Sequence, residues 1–234
     1  MTKYTYLLID LFSVCVPLLV SFHPRSGLYK HLYALLPAIA ITAVFYLLWD
    51  SWFTSMGVWG FNPTYITGMH VSNMPLEEIL FFICIPYACV FTFDCLSRVI
   101  PADALSKRLN FISYALIGLC IVTAAIYHNN YYTAATFAVL AVLIFAAHYY
   151  RVPWLGRFYI IYLILLIPFL IVNGLLTGTG LDAPVVWYSA DHIIGPRILT
   201  IPIEDVFYGM GLLLINTWIY QRLRYGKIQP ILAK

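Results

Sequence analysis

Charged residues are scarce in this chain. Only 10% of its 234 residues are Asp, Glu, Lys or Arg, and 62% are hydrophobic, whereas a soluble domain carries about 25% charged residues. This scarcity excludes an ordinary soluble domain and indicates that the lipid bilayer is the solvent. The net charge of +3 is also too small to indicate nucleic acid as a partner.

Several chemical signatures are also missing. The chain has no Gly-x-Gly-x-x-Gly sequence for a flavin or a nicotinamide, so no cofactor is predicted. The five cysteines and six histidines have no metal-ligand spacing, so no metal is predicted either. The last long apolar segment, 201–221, contains no lysine, which excludes a photoreceptor that binds retinal as a Schiff base.

Long apolar runs are the main feature that the chain does have. A spanning helix needs about 20 apolar residues, and seven segments qualify. The sequence therefore predicts an all-α integral membrane protein with seven transmembrane helices. The predicted spans are 4–22, 31–49, 76–99, 109–127, 131–149, 158–176 and 201–221.

The distribution of lysine and arginine predicts the orientation. One side of the predicted membrane has only Lys3 and Arg197. The other eleven positive residues lie on the opposite side, and such an excess marks the cytoplasmic face. We therefore expect a multi-pass protein of the cell membrane with its N-terminus outside and its C-terminus in the cytoplasm. The eleven are Arg25, Lys30, Arg98, Lys107, Arg108, Arg151, Arg157, Arg222, Arg224, Lys227 and Lys234.

A short acidic motif occurs twice. Pro-Leu-Glu-Glu at 75–78 returns 127 residues later as Pro-Ile-Glu-Asp at 202–205, and each copy opens an apolar segment. The preceding loops also match, with Val-Trp at 58–59 answering Val-Trp at 186–187. The pattern predicts two parallel three-helix repeats joined by a fourth span. The predicted divisions are 1–107, 108–128 and 129–234.

The acidic pairs have two interpretations. Acidic residues suit the first turn of a helix, and Asn73 and Thr200 are candidate caps; this interpretation is purely structural. Carboxylates are costly near hydrocarbon, however, so two matched pairs favour chemistry, with one acidic site in each half. A proton-coupled transporter with repeated acidic sites is an alternative. Asp10, inside the first apolar segment, either lines the cavity of the acidic site or pairs with a neighbouring residue.

The duplicated motif and its following aromatic residues resemble the membrane lycopene cyclase domain family, which is flavin-independent. Here the copies continue as Ile-Leu-Phe-Phe at 79–82 and Val-Phe-Tyr-Gly at 206–209, and the resemblance covers essentially the whole chain as a fusion of both halves. It implies a lycopene β-cyclase, an isomerase of the intramolecular lyase type. An acid protonates the terminal double bond of the carotene, a ring closes on the carbocation, and a base removes a ring proton.

The resemblance also implies the site residues and the partners. The expected acids and bases are Glu77, Glu78, Glu204 and Asp205, with their individual roles left open, as is whether one or both carotene ends are cyclised. The expected partners are a lipid-soluble carotene, lycopene, and the lipid bilayer, while association with other carotenoid enzymes is left open. Aromatic faces stabilise cations, and the residues expected to contact substrate are Phe81, Phe82, Tyr208, Trp59 and Trp187.

Overall fold

A computed structural model describes residues 3–226, and within that range the chain forms seven α-helices. Each one coincides with a predicted apolar segment, and all except α2 agree with the predicted bounds to within four residues. Their order follows the sequence: α1 (Thr5–Ser21), α2 (Leu32–Ser55), α3 (Leu76–Leu96), α4 (Leu109–Ile126), α5 (Tyr131–Tyr149), α6 (Leu155–Leu176) and α7 (Ile203–Tyr225).

Five of these helices are long and apolar enough to cross a membrane. They are α3, α4, α5, α6 and the segment Leu28–Ser55, which joins a short 3-10 turn to α2. Helix α1 is also apolar but has 17 residues, and α7 carries acidic residues in its first turn and arginines in its last. The described part of the chain is therefore helical, with five helices that are able to span a membrane, as in a multi-pass membrane protein.

Helix α2 extends beyond its predicted end. The sequence assigned 31–49 to the span and placed Asp50 in the following loop, but the helix continues to Ser55. The loop assignment was wrong because Asp50 is buried, with only 2% of its surface exposed, and its carboxylate accepts a hydrogen bond from the Trp59 indole. The helix therefore carries an additional acid into the protein interior.

Short strands organise two long loops, one between α2 and α3 and the other between α6 and α7. The all-α prediction did not include these strands. Strand β1 from the loop after α2 pairs in antiparallel with β4 from the loop after α6, so the two loops are joined to each other. Two hairpins, β2–β3 and β5–β6, lead directly into α3 and α7. The strands are β1 (Trp59–Phe61), β2 (His70–Val71), β3 (Met74–Pro75), β4 (Val186–Tyr188), β5 (Arg197–Ile198) and β6 (Ile201–Pro202).

The repeat is a repeat of structure as well as of sequence. Strands β1, β2 and β3 recur as β4, β5 and β6 at a constant spacing of 127 residues. The hairpin turns match in detail, since Ser72 and Leu199 have φ angles of 58° and 57°. The matching of the two Val-Trp pairs was wrong by one residue, because the constant spacing aligns Trp59 with Val186. The loops, not only the acidic motifs, are thus duplicated.

The predicted helix caps are also wrong. Neither α3 nor α7 has a side-chain cap, and the prolines of the two acidic motifs, Pro75 and Pro202, occupy the N-cap positions. The Asn73 amide instead donates to the Ser51 carbonyl oxygen at 2.7 Å, and Thr200 hydrogen-bonds Thr177 at 2.8 Å. Both side chains tie a hairpin to the preceding helix instead of capping the following one.

Ionic contacts join the loops at the opposite end of the bundle. Asp94 at the end of α3 forms an ion pair with Arg98 at 2.9 Å and another with Arg224 of α7. The Arg98 guanidinium also donates to the backbone carbonyl of Arg25 in the loop after α1. The positively charged segments around Arg25, Arg98 and Arg224 therefore meet at one end of the bundle. Lys227 and Lys234, which were assigned to the same side, lie outside the described residues.

Candidate active site

A cavity of about 220 Å³ lies among α1, α3, α6 and α7. Its lining on α3 runs from Glu78 to Thr92, a distance of about 21 Å at 1.5 Å per residue. The walls are mostly apolar and aromatic, and the carboxylates of Glu78, Asp50 and Asp205 gather at one end. The cavity is thus a long apolar chamber with an acidic end.

Two carboxyl groups meet on the first-repeat side of that end. Glu78 accepts a hydrogen bond of 2.5 Å from the Tyr6 hydroxyl. The carboxyl of Asp50 lies close beside it and accepts a hydrogen bond from the Trp59 indole. Two neighbouring carboxylates repel each other when both are ionised, so one of such a pair readily holds a proton. The pair can therefore supply a proton at this end of the cavity.

A single carboxylate of the second repeat, that of Asp205, faces this pair across the cavity. Asp205 accepts hydrogen bonds from the Tyr132 hydroxyl at 2.6 Å, the Asn173 amide at 2.6 Å and the Tyr188 hydroxyl at 3.0 Å. Burial, and then the negative charge of Asp205, raise the pKa of Tyr188 well above its usual value, so this loop residue remains a hydroxyl donor. Three donors on one carboxylate stabilise its anion.

The first acid of each motif has a different position. Glu77 accepts a hydrogen bond of 2.7 Å from the backbone N–H of Thr67, and Glu204 accepts the equivalent bond of 2.6 Å from Ile194. Glu204 also accepts from the Thr133 hydroxyl at 2.6 Å. Both are buried, but neither lies among the residues that line the cavity. Their contacts fasten the two long loops onto α3 and α7.

Aromatic rings surround the acidic end. Trp59 lies 5.0 Å from Tyr132 and 6.4 Å from Tyr208, measured between ring centroids. Tyr132 stacks on Tyr188 at 5.7 Å, and all four rings line the cavity, together with Phe81. Ring faces of this kind stabilise a desolvated cation by up to about 2 kcal/mol each.

Two of the expected substrate contacts lie elsewhere. Phe82 is buried against Tyr46, with 6.0 Å between ring centroids, and does not line the chamber. Trp187 is 43% exposed and covers Gly60 on the paired strand, where any side chain would overlap the indole. Of the aromatic residues proposed from the sequence, the chamber therefore includes Trp59, Phe81 and Tyr208.

Sequence reasoning missed several polar residues of the site. Asp50 had a usable signal, because it is an acid directly after the apolar residues of a span. Tyr6 and Tyr132 had none, since tyrosine is abundant in this chain. Asp10 is buried, but it neither lines the cavity nor has a hydrogen-bond partner for its carboxyl oxygens among the described residues. In that part of the chain, no group of three or more His, Cys, Asp or Glu is arranged to hold a metal ion.

Comparison with known protein families matches both repeats of the chain. The model of the lycopene cyclase family matches residues 3–96 and again residues 129–223, which together make up well over half of the chain. The two matched segments contain the two acidic motifs and correspond to the two structural repeats. No curated protein and no solved structure matches the chain. With a family match of this extent, in which each matched segment contains one copy of the acidic motif, the chain belongs to the lycopene cyclase family.

Proposed function

We propose that this protein is a lycopene β-cyclase that closes ionone rings at the ends of a linear carotene by acid–base isomerisation. The observation that carries the proposal is the chamber itself, where Glu78 and Asp205 face one apolar, aromatic-walled space. A hydrocarbon substrate fits such walls, and its only reactive groups are double bonds. A proton donor and a proton acceptor at the same end are what the isomerisation needs.

Glu78 is the proton donor in this proposal, and Asp50 supports it. The proton shared by these two carboxyls passes from Glu78 to the terminal double bond of the open carotene end, leaving a tertiary carbocation. The next double bond attacks that carbocation, forms the ring bond and moves the positive charge into the ring. The Tyr6 hydroxyl and the Trp59 indole then stabilise the carboxylate that remains.

Asp205 is the proton acceptor. Its three hydrogen-bond donors hold it as an oriented anion, and it removes one ring proton so that a ring double bond forms. One proton enters and one leaves, so the reaction has no net redox change. The rings of Trp59, Tyr132, Tyr188 and Tyr208 stabilise the cation between the two steps. Glu77 and Glu204 act indirectly in this assignment, by holding the loops that carry the aromatic residues.

Pigment analysis tests the proposal. Expressed in bacteria that accumulate lycopene, the chain should convert it to carotenes with β-rings, identified by chromatography, absorbance and mass. In membranes suspended in D₂O, each new ring should gain one deuterium, because the donated proton comes from an exchangeable acid. Unchanged lycopene, with the protein inserted at normal levels, would contradict the proposal.

A proton-coupled transporter is the second candidate, since it also uses membrane carboxylates in repeated halves. Here the acidic residues lie at one end of the bundle and face an apolar chamber, which favours a hydrocarbon substrate over a hydrated one. The family match supports the same choice. A transporter would move solute across vesicle membranes and leave added lycopene unchanged.

We further propose that all seven helices cross the membrane, with the active site near the outer face. Two three-helix repeats, 1–107 and 129–234, would then be joined by α4 at 108–128. The positive residues that meet around Asp94 support a cytoplasmic location for that end. The paired loops that contain β1 and β4 would lie outside.

Thiol labelling tests this orientation. A cysteine replacing the exposed Thr64 in the outer loop should react with a membrane-impermeant maleimide in intact cells, because it lies outside. Ser106→Cys, equally exposed in the loop after α3, is the matched control and should react only after permeabilisation. The reverse pattern would overturn the orientation and move the active site to the cytoplasmic side.

A further inference from the structure

The two repeats differ at a position that lines the chamber in the second repeat. The constant spacing of 127 aligns Phe82 with Gly209. Gly209 lines the chamber, and a Cβ atom there would lie 3.3 Å from Cε2 of Phe169 and 3.5 Å from the Tyr162 hydroxyl. Phe82 instead fills the equivalent space in the first repeat and packs on Tyr46.

The helices opposite these residues show the same difference. In α2, Tyr46 and Trp49 are buried and stack at 5.6 Å between ring centroids. Their equivalents in α6 are Asn173 and Leu176, which are smaller and line the chamber. The space between α6 and its neighbours is therefore open, whereas the equivalent space beside α2 is filled by aromatic rings.

A groove on the surface of the helix bundle borders the open chamber. This groove, between α1 and α6, shares Ser13 and Val172 with the chamber. Its outer walls carry apolar side chains that are largely exposed on the helix surface, among them Phe12 at 75% and Ile171 at 63%. A linear carotene can place one end at the carboxylates while the remainder extends through this groove into the bilayer.

Building on the function proposed above, we propose that the chain has one ring-forming chamber, kept open by Gly209, and that it cyclises one carotene end per binding event. The two repeats then contribute different groups to a single site, with the Glu78–Asp50 pair from the first and Asp205 from the second. A two-ring product requires two events, and the one-ring carotene leaves the chamber between them. It must turn around before its second end can reach the carboxylates.

Filling the chamber tests the role of Gly209. Gly209→Phe should lower the formation of both rings by on the order of 100-fold, because the new ring occupies the space of the carotene end. The matched control is Gly118→Phe in α4, where a Cβ atom meets nothing within 4 Å, and it should retain wild-type activity. A Gly209→Phe protein that is inserted normally and still forms one or both rings at the wild-type rate would overturn the single chamber.

A chase experiment on the wild-type protein tests the same proposal without a variant. Membranes are given labelled lycopene briefly and then a large excess of unlabelled lycopene. Release between events predicts that labelled one-ring carotene accumulates and that its conversion to the two-ring product is suppressed. Labelled two-ring product that forms undiminished after the chase would overturn the proposal, whereas a wild-type protein that forms no ring at all would instead contradict the proposed function.

Discussion

Glu78→Gln should stop ring formation and leave linear lycopene. The amide keeps the shape and polarity of the side chain and can still accept a hydrogen bond from Tyr6, but it has no acidic proton to give. Loss of a general acid typically lowers the rate by about 10²–10⁴-fold. The measurement is the ratio of cyclic to linear carotene in membranes that contain equal amounts of protein.

Two further variants distinguish the role of the proton donor Glu78 from the roles of the acids beside it. In Asp50→Asn the side-chain oxygen can still accept a hydrogen bond from the Trp59 indole. Its amide can donate to Glu78, which leaves Glu78 without the proton that the two carboxyls share. We therefore expect the rate of ring formation to fall by a similar factor. Glu77→Gln keeps an oxygen that can accept from the Thr67 N–H. It should lower the rate of ring formation by less than about tenfold. Equal losses in Glu77→Gln and Glu78→Gln would contradict the division of roles between the two acids.

Asp205→Asn should also abolish ring formation, for the opposite reason. The side-chain oxygen can still accept hydrogen bonds from Tyr132 or Tyr188, but a neutral amide cannot remove the ring proton. The expected loss is again about 10²–10⁴-fold. Both rings should disappear together, because one carboxylate serves both ends of the carotene in turn.

The matched control for charge is Asp191→Asn. Asp191 lies exposed in the second long loop, at the same end of the bundle but outside the chamber lining. It should retain wild-type activity at equal protein levels. Normal activity in both Asp205→Asn and Glu78→Gln would return the acidic motifs to the structural interpretation, in which they only begin two helices.

The sequence alone determined the class of this protein, the positions of its helices and its family. Hydrocarbon accepts few charges, so apolar runs of about 20 residues identify membrane helices without tertiary information. The acidic motif was informative for the same reason, since two carboxylates are rare at such a position and a second copy indicates a duplicated architecture. The lycopene cyclase family followed from this motif and is confirmed by the family match.

Only the tertiary structure decided which acids face the chamber. Glu77 and Glu78 are neighbours in sequence, but a helix turns about 100° per residue, so one meets the loop and the other the cavity. Asp50, Tyr132 and Asn173 reach the site from three other helices, and their roles depend on contacts across more than 25 residues of chain. The openness of one repeat and the filling of the other likewise arise from packing, because a ring at Phe82 and a hydrogen atom at Gly209 matter only through the helices that face them.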